Sequence, residues 1–210
     1  MNCINFGCGL SVASGWKNYD ASPTLFLQRL PVFGKIISSM VEPQFPSPAK
    51  YGDITKELPE ESSGTDLIYC SHVLEHLALE DFRNGLREVY RLLKNNGVFR
   101  GVLPDLQTCV EEYVRDAHED ACSRFMNATS LGVVSKGRGF KKIISNYFGN
   151  SNHLWMWDFR GLSKELEAAG FCNIRKASFG DSENSKFLEV ENSDRWIGCL
   201  GFECIKIIEA

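Results

Sequence analysis

Three short patterns in the chain carry residue types that do chemistry. Gly7-Cys8-Gly9 follows the apolar run Asn2 to Phe6, which reads as a buried parallel strand entering a tight turn. Glycines have no Cβ, so a ligand's ribose or amino-acid portion can lie against main-chain N–H groups there. The plainer alternative is a glycine pair that only turns the chain. Asp20 ends the next short strand candidate, Trp16 to Tyr19, and its two carboxylate oxygens suit the paired hydroxyls of a ribose, although an isolated aspartate serves as often as a cap or turn residue. The third pattern is His72-Val73-Leu74-Glu75-His76. Its H-x-x-E-H form matches a zinc-peptidase pattern in which two histidines on one helix face bind metal. Here it directly follows a strand candidate and lacks a third ligand with its own helix, so no metal is expected. Glu75 and His76 are expected to hold the turn by hydrogen bonds.

These residues need elements to position them. Strand candidates are Lys50 to Ile54, Asp66 to Cys70, Val98 to Leu103 (ended by Pro104-Asp105), Asn173 to Phe179 and Gly198 to Ile208. Helical spacing covers Thr24 to Met40, Leu106 to Asn127, and Gly161 to Ala169 with Gly170 as its cap. From Glu80 to Lys94, Phe82, Leu86, Val89 and Leu93 recur at threes and fours, with Glu80 and Asp81 complementing the dipole and Asn96-Gly97 stopping the helix. A basic stretch around Lys136 to Lys142 reads as a mobile loop. Strands alternating with helices predict an α/β fold, an open and mostly parallel sheet with helices on both faces. Ligands of such sheets bind beyond the carboxyl ends of the strands, where strand order reverses. That rule singles out Gly7 to Gly9, Asp20, Asp53, Ser71-His72 and Pro104-Asp105.

Composition narrows the partners. The 210 residues, 43% hydrophobic, suffice for one core, and one domain over residues 1–210 is expected. A net charge of −4 gives no footprint for a polyanion, so nucleic acid is a poor partner. The longest apolar stretches, such as Leu30 to Val41, are interrupted, and Met1 to Ile4 lack the basic start of a secretory signal. The expectation is a cytoplasmic protein without a membrane span. Eight cysteines show no C-x-x-C pair and read as reduced thiols.

Five runs then fall in a familiar order: N-F-G-C-G from Asn5, G-W-K-N-Y-D ending at Asp20, G-D-I from Gly52, D-L-I-Y-C-S-H-V-L-E-H ending at His76, and L-K-N-N-G-V-F-R-G-V-L-P-D-L ending at Leu106. Together they resemble the class I methyltransferases, most closely the small type 11 kind often associated with bacterial surface-sugar genes. The resemblance continues more loosely through H-L-W-M-W-D-F and the helix ending in A-A-G-F. It implies a Rossmann-like, seven-stranded sheet whose last strand is antiparallel, and S-adenosylmethionine as cofactor. It also implies that Asn5, Gly7, Cys8 and Gly9 lie at the cofactor, that Asp20 holds the ribose, that Asp53 and Ile54 frame the adenine, and that Ser71 and His72 sit beside the sulfonium. Two departures stand out: no helix precedes the first strand, and only a short loop separates Gly9 from Gly15.

Methyl transfer needs an in-line approach to the sulfonium methyl, so positioning supplies much of the catalysis. A base is required only for a hydroxyl acceptor; His72 is the first candidate and Asp105 the second. Trp155, Trp157 and Phe159 are candidate walls for the acceptor, though aromatics at spacings of two more often belong to a core. The expected function is methylation of a small-molecule or saccharide hydroxyl. The alternative is a scaffold that keeps the fold and the cofactor without turnover.

Overall fold

The computed structural model describes residues 1–31, 41–132 and 152–208. Seven strands form one sheet: β1 Cys3–Phe6, β2 Lys17–Asp20, β3 Ala49–Tyr51, β4 Thr65–Ser71, β5 Leu93–Pro104, β6 Phe171–Ala177 and β7 Cys199–Lys206. Their order is β3-β2-β1-β4-β5-β7-β6. Neighbours from β3 through β5 are parallel, and β7 runs antiparallel to both β5 and β6. The sheet order therefore reverses between β1 and β4, where the rule for open sheets puts a ligand.

Alternation along the strands divides the interior. In β4, Ile68 and Cys70 face one side and Leu67 and Tyr69 the other. Against the first side pack helix α2, Leu79–Leu92, and helix α5, Phe159–Ala168, through Phe82, Leu86, Val89, Leu92, Leu162 and Leu166. Each such side chain contributes about 1.5 to 3 kcal/mol by leaving water. Helix α2 ends at Leu92, two residues before the expected Lys94, because Leu93 already pairs with Thr65 as the start of β5, and Asn96-Gly97 lie in that strand rather than stopping the helix. The other side is covered by Trp16 and by Phe187 and Trp196, carried on or beside short 3-10 turns at Ser185–Glu189 and Ser193–Arg195.

Helix α1, Pro23–Gln28, starts on a proline whose missing N–H costs nothing at that position. The remainder of the expected Thr24 to Met40 helix lies largely outside the described residues, as does the basic stretch at 136–142. The single long helix expected from Leu106 to Asn127 is two: α3, Leu106–Arg115, and α4, Ala121–Ala128. Asp116 breaks it. Its carboxylate accepts from the His118 N–H at 3.0 Å, a local bond that competes with helix continuation, and it also pairs with Arg124. No helix among the described residues is long and apolar enough to cross a membrane.

Candidate active site

A cavity of about 550 Å³ opens at the carboxyl ends of β1, β2, β3 and β4, a size within the range of small-molecule sites. Gly7, Asp20, Asp53, Ile54 and His72, all singled out from the sequence, line it. Phe6, Val73 and Leu77 add apolar wall.

The two glycines of the first turn do different work. Both have left-handed backbones, φ +65° at Gly7 and +53° at Gly9. A Cβ on Gly7 would meet Val73 Cγ2 at 2.1 Å, so this glycine admits the neighbouring turn after β4. A Cβ on Gly9 would meet nothing within 4 Å. Only Gly9 leaves open space where a ligand can approach the backbone.

Asp20 organises the rim. Its Oδ2 accepts from the Gly9 N–H at 2.8 Å and its Oδ1 from the Ser22 N–H at 2.8 Å. Each oxygen keeps a second lone pair for a hydroxyl. Asp53 makes a similar local turn, accepting from the N–H and hydroxyl of Thr55, while Ile54 is core, 3.6 Å from the Cβ position of Gly85 in α2. Asn5 and Cys8 are buried and do not line the cavity. Asn5 donates to Asn18 Oδ1 at 3.2 Å, and burial pushes the Cys8 thiol up to about 12, which removes it from thiolate chemistry.

The histidine after β4 departs from its expected role. His72 holds a positive φ of 53°, costly for a residue with a side chain. Its Nε2 stands 3.0 Å from the Arg195 carbonyl, which only accepts, so that nitrogen carries a proton. Its Nδ1 lies 3.3 Å from Glu75 Oε1. Burial works against a charged ring, but the Cys199 sulfur, Glu75 and the Arg195 carbonyl outweigh it and push the pKa up to about 10. His72 thus presents no free lone pair to the cavity, and the general-base expectation meets a physical objection: both ring nitrogens are already engaged.

The second base candidate lies elsewhere. Asp105 caps α3, accepting from the Gln107 N–H and the Thr108 hydroxyl at 3.0 Å each, and does not line the cavity. Ser71 also stands outside it, its hydroxyl taking a 2.7 Å bond from Arg195 Nε. Trp157 is a core residue, with its ring 4.4 Å from that of Phe82, rather than an acceptor wall; Trp155 is exposed.

Sequence reasoning missed Arg195, whose carbonyl and guanidinium hold His72 and Ser71, and Val73, whose methyl explains Gly7. It also missed His153, which stands beside Glu75 and His76. A lone imidazole inside the aromatic run H-L-W-M-W was the available signal.

Comparison with known proteins agrees with this fold. A family model described as a methyltransferase domain matches residues 38–100. The fold is that of the class I methyltransferases. Three solved structures show how far the likeness extends. An S-adenosylmethionine-dependent methyltransferase from Thermotoga maritima superposes with a TM-score of 0.51 at 12% identity, covering 98% of this chain and 82% of that one. The YcgJ protein of Bacillus subtilis gives 0.51 at 14%, covering 99% and 92%. Phosphoethanolamine N-methyltransferase 2 of Haemonchus contortus, solved with S-adenosyl-L-methionine, gives 0.50 at 12%, covering 99% of this chain and 49% of that one. No curated protein matches the sequence. Identities this low carry the methyltransferase fold and not an acceptor.

Proposed function

We propose that this chain binds S-adenosylmethionine in the cavity above β1 to β4 and transfers its methyl group to a hydroxyl of a small molecule or saccharide. The observation that carries the reading is the join between Asp20 and Gly9: a carboxylate fixed against an open glycine turn, at the reversal of strand order, beside an apolar wall. A nucleoside fits that chemistry. Asp20 offers spare lone pairs to ribose hydroxyls, and Phe6, Ile54, Val73 and Leu77 offer apolar contact to a base.

When bound, the cofactor supplies an electrophilic methyl. The chain's residues orient it: Asp20 fixes the sugar, Gly9 admits it, and His72 closes the end of β4 as a wall held by Arg195 and Glu75. Catalysis in this reading comes mainly from alignment of the acceptor, which suits a site without an available base. The acceptor class rests on the acidic net charge, which disfavours a polyanion, and on the resemblance to methyltransferases of surface-sugar genes. The engagement of both His72 nitrogens favours a second reading, a cofactor-binding scaffold without turnover.

Calorimetric titration with S-adenosylmethionine and S-adenosylhomocysteine tests the proposal. The parent protein should bind both, and Asp20→Ala should lose at least about tenfold in affinity, as expected when a charge-assisted hydrogen bond disappears. No binding by the folded parent rejects the proposal, and equal binding by Asp20→Ala rejects the ribose assignment. Binding without methyl transfer to any saccharide acceptor selects the scaffold.

A further inference from the structure

A ligand held by its ribose at Asp20, with its base towards Asp53 and Ile54, extends the other way along the strand ends, from β2 past β1 to β4. For S-adenosylmethionine that far end is an amino acid, and its carboxylate needs donors. A helix starting after the first strand would offer its unpaired N–H groups to such an anion. This chain has no helix between Phe6 and Lys17. The N–H groups of the loop there are largely spent: Cys8 on the Tyr19 carbonyl at 3.0 Å, Gly9 on Asp20 at 2.8 Å, Ser11 on the Cys8 carbonyl at 2.9 Å and Ala13 on Asn18 Oδ1 at 3.2 Å. The positive charge has to come from another part of the chain.

Arg195 stands at that end. The parallel register pairs Phe6 with Cys70, which puts Ser71 beside Gly7. Arg195 Nε donates to the Ser71 hydroxyl at 2.7 Å and Nη2 to the Ser71 carbonyl at 3.3 Å, so the guanidinium lies at the end of β4, where strand order reverses. Its Nη1 donates to no described residue, and no described carboxylate pairs with it. Donors therefore remain on both Nη1 and Nη2, the planar fork that matches the two oxygens of a carboxylate. The Arg195 backbone carbonyl accepts from His72 Nε2 at 3.0 Å, which joins this residue to the cavity wall. Its position is held on both sides: Asn192 caps the turn Ser193–Arg195, and Trp196 is buried with its ring 4.8 Å from the Arg100 guanidinium. Lys186, whose Nζ stands 3.5 Å from the Cβ position of Gly15 on the same loop, is already paired with Glu189.

We propose that Arg195 binds the carboxylate of the cofactor's amino-acid portion, in place of the helix start that the short first loop lacks. The assignment rests on the cofactor reading of the cavity and adds a second anchor to it, from the segment between β6 and β7. Asp20 then holds the sugar and Arg195 the amino acid, with Gly7 and His72 between them. The opposite charges of the two anchors fix the direction of the ligand, hydroxyls towards β2 and carboxylate towards β4.

The test is calorimetric titration of the full chain with S-adenosylmethionine and with its decarboxylated form, which keeps the nucleoside, the sulfonium and the amine and lacks only the carboxylate. The parent should bind the intact compound about tenfold to a hundredfold more tightly, the scale of one charge-assisted hydrogen bond. That ratio should shrink with added salt, because the Arg195 side chain is exposed. Arg195→Gln should bring the two affinities to within about threefold of each other by weakening only the intact compound. Lys186→Ala should leave the ratio as it is in the parent. If Arg195→Gln does not fold, the ratio in the parent and its salt dependence still decide. Equal affinities in the parent, or an undiminished ratio in folded Arg195→Gln, overturn the assignment and leave the cavity standing as a cofactor site. Binding of neither compound by the folded parent overturns both.

Discussion

Arg100 and Glu75 are both sealed from solvent, yet their surroundings differ in kind. Arg100 sits in the middle of β5 and engages all three guanidinium nitrogens: Nε on Glu191, Nη1 on Asp181 and Glu203, and Nη2 on the Ser178 carbonyl at 2.6 Å, with Trp196 stacked 4.8 Å away. Glu75 has one close cationic neighbour, His72 Nδ1 at 3.3 Å from Oε1, and among the described residues nothing donates to its Oε2. The first arrangement is closed and serves the architecture, holding the 178–196 segment onto the sheet. The second is sparse: one imidazole faces Oε1, and Oε2 is left without a described donor.

Breaking each arrangement should expose the difference. Arg100→Ala strands Glu191, whose side chain is also fully buried, and should cost about 3 to 5 kcal/mol in urea unfolding. Glu75→Gln removes a charge with a single close partner, His72, and should cost less than about 2 kcal/mol. Equal losses would erase the distinction between closed and sparse sites.

The same contrast separates the two glycines of the first turn. Gly7→Ala forces a methyl into Val73 as well as straining the backbone, and should destabilise by about 2 to 4 kcal/mol. Gly9→Ala carries only the backbone term, about 1 to 2 kcal/mol, and should be read mainly as lost cofactor affinity. A Gly9→Ala protein that binds the cofactor normally would show that the open space is not used.

The smallest effect is expected in acid. Burial alone would raise the Asp181 carboxyl, but Arg175, the Ser178 N–H and Arg100 outweigh it and lower its pKa to about 2. Because that lies below the unfolded value of about 3.9, the stabilisation is complete above that value and disappears as pH falls towards 2. Asp181→Asn should flatten the acid limb of a stability profile measured over that window, and an unchanged limb would remove Asp181 from the network's account.

The left half of the sheet was legible because its signals are local. Apolar runs ending in Gly7, Asp20 and Ser71 mark strand ends, and the α2 stripe marks the helix that covers them. The acid cluster around Arg100 was not legible, since its members come from positions 178–203 and meet only after β7 inserts. Arg100 itself, a charge in the otherwise apolar run V-F-R-G-V-L, was the visible trace of it. The helix break at Asp116 escaped because periodicity does not register a side chain that captures a nearby N–H. Among the site residues, Gly9 and Asp20 were placed by the strand-end rule, whereas the orientation of His72 depends on Arg195, more than a hundred residues later.

The position of β7 has a consequence for the order of assembly. It is the last of the described strands in sequence, but it lies between β5 and β6, and neither of those pairs with the other. While the polypeptide leaves the ribosome, β5 therefore waits with an exposed edge and β6 has no sheet to join, even though α2 and the first strands have already emerged. Exposed edges of this kind recruit foreign strands, so the nascent protein depends on shielding for the time needed to synthesise the stretch from β5 to β7. A stall before Cys199 would leave a half-built sheet bearing an intact first turn, a species that could collect ligand without ever closing its far side.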